Sequence, residues 1–145
     1  MRIKSPRLAR IARVVLGVIF SSAALNYFWY VMVGRWIFPV AITTQAMQWS
    51  GEIVRIGYLW PLMKAINLAA GVLLIANRAP AFAVALLLPV TVVIVWFQVL
   101  LNPLPVPLVT TLLAVICELI LLHAYASRYA GLFAGDERES RESIW

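Results

Sequence analysis

The chain has 145 residues, 63% of them apolar and only 12% charged, with a net charge of +6 and a mean hydropathy of +0.92. An ordinary soluble domain carries about twice that share of charge, so this chain has too little polar surface for a soluble globule and too much apolar content for disorder. A small integral membrane protein remains. The single cysteine, Cys117, excludes a disulfide framework and any CxxC redox or zinc site within the chain.

A spanning helix needs about 20 mostly apolar residues, and four stretches qualify. The first covers about residues 8–30 and has no charge after Arg13. Its basic start and the run Ser22-Ala23-Ala24 resemble a cleavable leader, but apolar residues continue to Val33, so the segment is expected to stay as a span. A connection of about residues 31–56 follows, too long for a simple turn. It holds a polar patch, Thr43, Thr44, Gln45 and Gln48, among Trp36, Phe38, Met47 and Trp49. The spacing of Ala46, Trp49 and Ile53 predicts a short amphipathic helix, lying at the interface or capping the other helices. Trp29, Tyr30, Trp36, Trp49, Tyr58 and Trp60 gather near this membrane face. They read as an aromatic belt, or else as the stacking wall of a pocket for a flat ring.

The second span covers about residues 57–76 and carries Lys64. The third, about 81–101, has no charge, and Pro89 marks a kink. The fourth, about 106–126, carries Glu118. Asn77-Arg78-Ala79-Pro80 and Asn102-Pro103-Leu104-Pro105 are short, stiff connections, so the last three spans run up, down and up. The fold expected is all-α: a four-helix up-down-up-down membrane bundle in one domain, residues 1–130, followed by a polar cytoplasmic tail, residues 131–145. Period-2 alternation is absent, which argues against a barrel.

Charge sets the orientation. Arg2, Lys4, Arg7, Arg10, Arg13, Arg78, Arg128, Arg138 and Arg141 fall on one side, and only Arg35 and Arg55 on the other. By the positive-inside rule both termini are cytoplasmic. The positive charge is therefore a topology signal, and nucleic acid is not an expected partner.

Polar residues inside a membrane are costly and usually face a bundle interior. Helix one offers Asn26 four residues after Ser22; helix two offers Lys64, Asn67 and Gly71; helix three offers Thr91 and Gln98; helix four offers Thr111, Glu118 and Tyr125. Gly17 and Ser21 form a small-xxx-small pair suited to close helix contact. By helix rise, Asn26, Lys64 and Gln98 lie in the outer third of the bilayer and Asn67 and Glu118 near its middle, with Lys64 and Glu118 about 9 Å apart in depth. Two readings fit these residues. They bind the helices together by hydrogen bonds, or Asn26, Lys64, Asn67, Gln98 and Glu118 line an intramembrane cavity, open to the outer face, for a quinone-like or other small ligand. In the second reading Lys64 and Glu118 are the candidates for chemistry. His123, the only histidine, leaves no bis-histidine haem site within the chain, and no metal site is expected.

Several of these stretches resemble the DoxX and DoxX-like family of small bacterial membrane proteins. Leu16-Gly17-Val18-Ile19-Phe20 with Asn26-Tyr27-Phe28 looks like the family's opening helix. Gly57-Tyr58-Leu59-Trp60-Pro61-Leu62-Met63-Lys64-Ala65-Ile66-Asn67 through Gly71 is similar to its second, Pro89 through Phe97-Gln98 and Asn102-Pro103 to its third, and Glu118 through Ala124-Tyr125 to its fourth. The family often has a glutamate at the position of Asn67 and a histidine at that of Gln98, so this chain lacks two titratable groups there. The resemblance implies a place in the bacterial inner membrane and service to a quinone-linked or respiratory oxidoreductase, with quinone as the ligand and no covalently bound cofactor. The expected partners are the lipid bilayer and either other membrane subunits or further copies of the chain. A non-catalytic accessory or scaffold subunit is the alternative, and a small oligomeric transporter the third.

Overall fold

The computed structural model describes residues 6–133, with side chains described through residue 130. Arg2, Lys4 and residues 134–145 of the expected tail, Arg138 and Arg141 among them, lie outside the described residues. Six helices follow one another: α1 (Pro6–Val33), α2 (Thr44–Arg55), α3 (Leu59–Ile75), α4 (Pro80–Leu100), α5 (Pro105–Ala124) and α6 (Ala126–Phe133). No strand occurs among the described residues.

Three helices, α1, α4 and α5, are long and apolar enough to cross a membrane, and the count rises to four if α2 and α3, bent by 97° at their junction, are taken as one broken span. By itself α3 has 17 residues, about 26 Å at the usual rise and close to the lower limit for hydrocarbon. Helices α1, α3, α4 and α5 lie within a few residues of the four expected apolar stretches, with two differences. The first helix extends to Val33, where Gly34 at φ +79° ends it and its N–H bonds to Tyr30 O at 2.8 Å. The fourth stops at Ala124, and α6 continues past residue 131, where the tail was expected to begin.

Local chemistry explains these limits. Thr43 caps α2: its hydroxyl accepts from Ala46 N–H at 3.2 Å. Pro80 and Pro105 open α4 and α5, where a missing N–H costs nothing. Between α3 and α4 the chain reverses through two left-handed residues, Asn77 (φ 55°) and Ala79 (φ 47°). Asparagine tolerates that region, whereas alanine is strained there by about 1 kcal/mol. Ala79→Gly is therefore expected to stabilise the protein by about 0.5–1 kcal/mol, read as a higher thermal midpoint in detergent.

Packing follows helical periodicity. The buried stripes are Ala12, Leu16, Phe20 and Ala24 on α1; Asn67, Ala70, Gly71 and Leu74 on α3; Ala83, Val84, Leu87, Val90 and Thr91 on α4; and Thr111, Ala114, Cys117, Glu118 and Leu121 on α5. α1 packs on α3 and α5, and α4 packs on the same two helices. The α1–α3 contact is the most extensive, and Gly17 meets Gly71 there. A Cβ on either glycine would come within 2.9 Å of the other's carbonyl oxygen. The outward faces remain apolar, as with Val18, Val93, Trp96, Val109 and Leu112.

Polar contacts tie the two ends. At the end where α1 begins, the Arg13 guanidinium donates to Asn77 Oδ1 in the α3–α4 turn. At the same end the Tyr129 hydroxyl of α6 donates to Ala81 O. Burial pushes that phenol above its ordinary pKa, which keeps it a donor. The opposite end, where α1 finishes and α3 begins, we term the outer end.

Candidate functional site

The polar residues singled out from sequence divide into separate groups. Asn26 serves the outer connection. Its Oδ1 accepts from Ile37 N–H at 2.9 Å and Phe38 N–H at 3.0 Å, and its Nδ2 donates to Phe38 O at 3.2 Å. Gln98 serves the same segment through Asn102, whose Nδ2 donates to Gln98 Oε1 at 2.9 Å. Asn102 in turn accepts from Thr43 N–H at 2.9 Å and donates to Ala41 O at 3.1 Å, and the Thr43 hydroxyl donates to Leu101 O. Two asparagines thus clamp the segment between α1 and α2, one from each side. Asn102 was not among the residues singled out. An asparagine closing a span just before a proline is the signal that could have found it.

Lys64 is half-buried, and its ammonium lies 5.4 Å from the centre of the Trp60 ring, a cation–π distance. It makes no ion pair with Glu118: among the described residues the one salt bridge joins Arg55 to Glu52 at 3.1 Å, on the exposed surface of α2. Asn67 is 2% exposed, and its Oδ1 has no hydrogen-bond partner.

Glu118 stands apart from the other four. It is buried on α5 and turns toward α4, beside Thr91, which is buried too. The two side chains face one another, and neither Glu118 Oε1 nor Thr91 Oγ1 bonds to any other group. Both border a groove between α4 and α5 of about 320 Å³. Leu88, Val92 and Val95 line one wall, Val115, Leu119 and Leu122 the other, and Trp96 stands among them. Trp96, Val92 and Leu119 are exposed on the outward surface of the two helices, so the groove opens sideways rather than toward the outer end.

A buried polar atom without a partner costs about 1–3 kcal/mol. A hydroxyl and a carboxyl that bond to no group beyond each other, beneath one apolar groove, therefore mark a place where a further hydrogen-bonding group would be favoured. A hydroxyl and a carboxyl together can donate to a carbonyl oxygen, or accept from and donate to a hydroxyl. Thr91 sits seven residues from Gln98 and was expected on its face; Gln98 is drawn to the outer connection while Thr91 turns to Glu118.

The outer aromatic residues do not line this groove. Tyr30 and Trp36 stack on one another, with centroids 4.2 Å apart and planes 6° from parallel. Trp29, Trp49 and Tyr58 are exposed. Comparison of the chain with protein-family models, with curated proteins and with solved structures finds no match.

Proposed function

We propose that the chain is a DoxX-like four-helix protein of the bacterial inner membrane, serving a quinone-linked respiratory oxidoreductase as a small subunit or partner. In this reading α1, α3, α4 and α5 cross the bilayer up, down, up and down with both termini cytoplasmic. The basic residues Arg7, Arg10, Arg13, Arg78 and Arg128 agree with that orientation, as does the Arg13–Asn77 contact at the same end.

The observation that carries the functional reading is the Thr91–Glu118 pair buried directly beneath the apolar α4–α5 groove. A quinone is a flat, apolar ring with two carbonyl oxygens and reaches proteins from within the lipid. The groove has aliphatic walls, an indole and sideways access, with Thr91 and Glu118 facing one another beneath it and bonded to no other group. Those two residues would hold a quinone oxygen. The electrons would come from the partner enzyme.

Purification in mild detergent, followed by mass spectrometry and quinone extraction, tests the proposal. Co-purifying redox subunits with bound quinone are expected. Glu118→Gln should lower the retained quinone severalfold, because the amide alters the hydrogen bonding offered to the ring oxygen, while the complex still assembles. Partner subunits without quinone, unchanged by Glu118→Gln, would favour a scaffold role. A chain that purifies with neither overturns both.

A further inference from the structure

A second feature concerns the outer end and is independent of what the groove binds. α2 leaves the α3 axis at 97°, so where α3 runs along the bilayer normal, α2 runs along the bilayer plane. Its sequence is sharply two-sided. At about 100° per residue, Thr44, Gln45, Gln48, Glu52 and Arg55 share one arc, and the exposed Arg55–Glu52 pair lies on it. Ala46 and Ile53 occupy the opposite arc. Ala46 is fully buried and Ile53 half-buried against the rest of the protein.

The residues flanking that contact line are large and apolar. Trp49 lies on one side, Met47 and Val54 on the other, and they are 57%, 57% and 52% exposed. The contact with the bundle is too narrow to cover them, so they overhang it on both sides. They sit only a short turn, residues 56–58, from the start of α3, at the end of the molecule that carries Trp29, Tyr30 and Trp36.

We infer that α2 is an in-plane foot. It lies in the outer membrane interface with Trp49, Met47 and Val54 inserted between lipids beside the bundle and its polar arc turned to water. A two-sided helix with low net hydrophobicity, a polar arc and a tryptophan on the apolar side has the chemistry for that position. The occupant of the overhanging face is the headgroup–acyl boundary of phospholipid. The clamps from Asn26 and Asn102 hold the connection before α2 to α1 and to the α4–α5 turn, so the foot sets how deep the whole chain sits.

The test uses the full chain in phosphatidylcholine–phosphatidylglycerol vesicles. Cys117 is replaced by alanine, or by serine if the alanine variant does not fold. Single cysteines are then introduced as Met47→Cys, Trp49→Cys, Val54→Cys, Gln45→Cys, Gln48→Cys and Glu52→Cys and labelled with a polarity-sensitive fluorophore. At 47, 49 and 54, quenching by nitroxide-labelled lipid should exceed that at 45, 48 and 52 severalfold, and quenching by aqueous iodide should show the reverse order. Equal iodide quenching at all six would mean that α2 stands clear of the bilayer. Protection of 47, 49 and 54 from both quenchers would mean that a protein surface covers them. Either result overturns the inference.

Discussion

Gly71→Val should destabilise the protein by about 1–3 kcal/mol, the range for forcing extra methyl groups into a tight contact. The reason is the α1–α3 crossing. A Cβ on Gly71 would stand 2.9 Å from Gly17 O and 3.0 Å from Ser21 N, and it would collide with the Ser21 hydroxyl. Two of those neighbours are backbone, which cannot move aside without parting the helices. Gly17→Val should act in the same way, since its Cβ would meet Gly71 O at 2.9 Å. The double variant should cost less than the sum of the two, because parting the helices once relieves both clashes. Thermal unfolding in detergent checks this. Gly51→Val provides the contrast, since nothing lies within 4 Å of a Cβ there; it should fall near the small effect of an exposed helical substitution.

The second large effect is expected at the outer clamps. Asn102→Ala removes the partners of Thr43 N–H, Ala41 O and Gln98 Oε1 together. These bonds are part-buried, so each one lost costs about 0.5–1.5 kcal/mol, and a net loss of about 2–4 kcal/mol is expected. Asn26→Ala should cost a similar amount through Ile37 and Phe38. Limited proteolysis separates this effect from global unfolding. Cleavage between residues 34 and 43 should accelerate strongly in either variant, while α1, α4 and α5 stay protected by detergent. A connection that remains resistant in both variants would mean that the asparagines do not hold it.

The clamps also show why the candidate site was only partly legible. Asn26 and Gln98 share with Glu118 the property that sequence can see: a polar side chain in an apolar run. Helix rise places Asn26 and Gln98 nearer the outer end than Glu118, but sequence does not show that the connection folds back so that Asn26 meets its main chain and Gln98 meets Asn102. Nor does it show that α4 and α5 leave a groove between them. For the same reason Thr91 was read only as a companion of Gln98 and Asn102 only as part of a turn, since their roles depend on groups 27 and 59 residues away in the chain, Glu118 and Thr43.

The amphipathic helix in the connection was visible from Ala46 and Ile53, which do face the protein. Trp49 was grouped with them by spacing, yet it stands exposed, because α2 touches the bundle along a line narrower than its apolar arc.

By itself the sequence determined that the chain is all-helical and membrane-spanning in character, where its apolar helices begin and end within a few residues, and where the small residues for close packing lie. Those features depend on local quantities: runs of apolar side chains, prolines at helix starts, and asparagine or glycine at helix ends. Only the tertiary structure decided which buried polar groups are partnered. It sent Asn26 and Gln98 to the outer connection and Lys64 to Trp60, and it left Glu118 and Thr91 together at the base of a groove. Partnership between polar groups depends on helix rotation and on contacts distant in sequence, which a stripe of residues on a single helix does not encode.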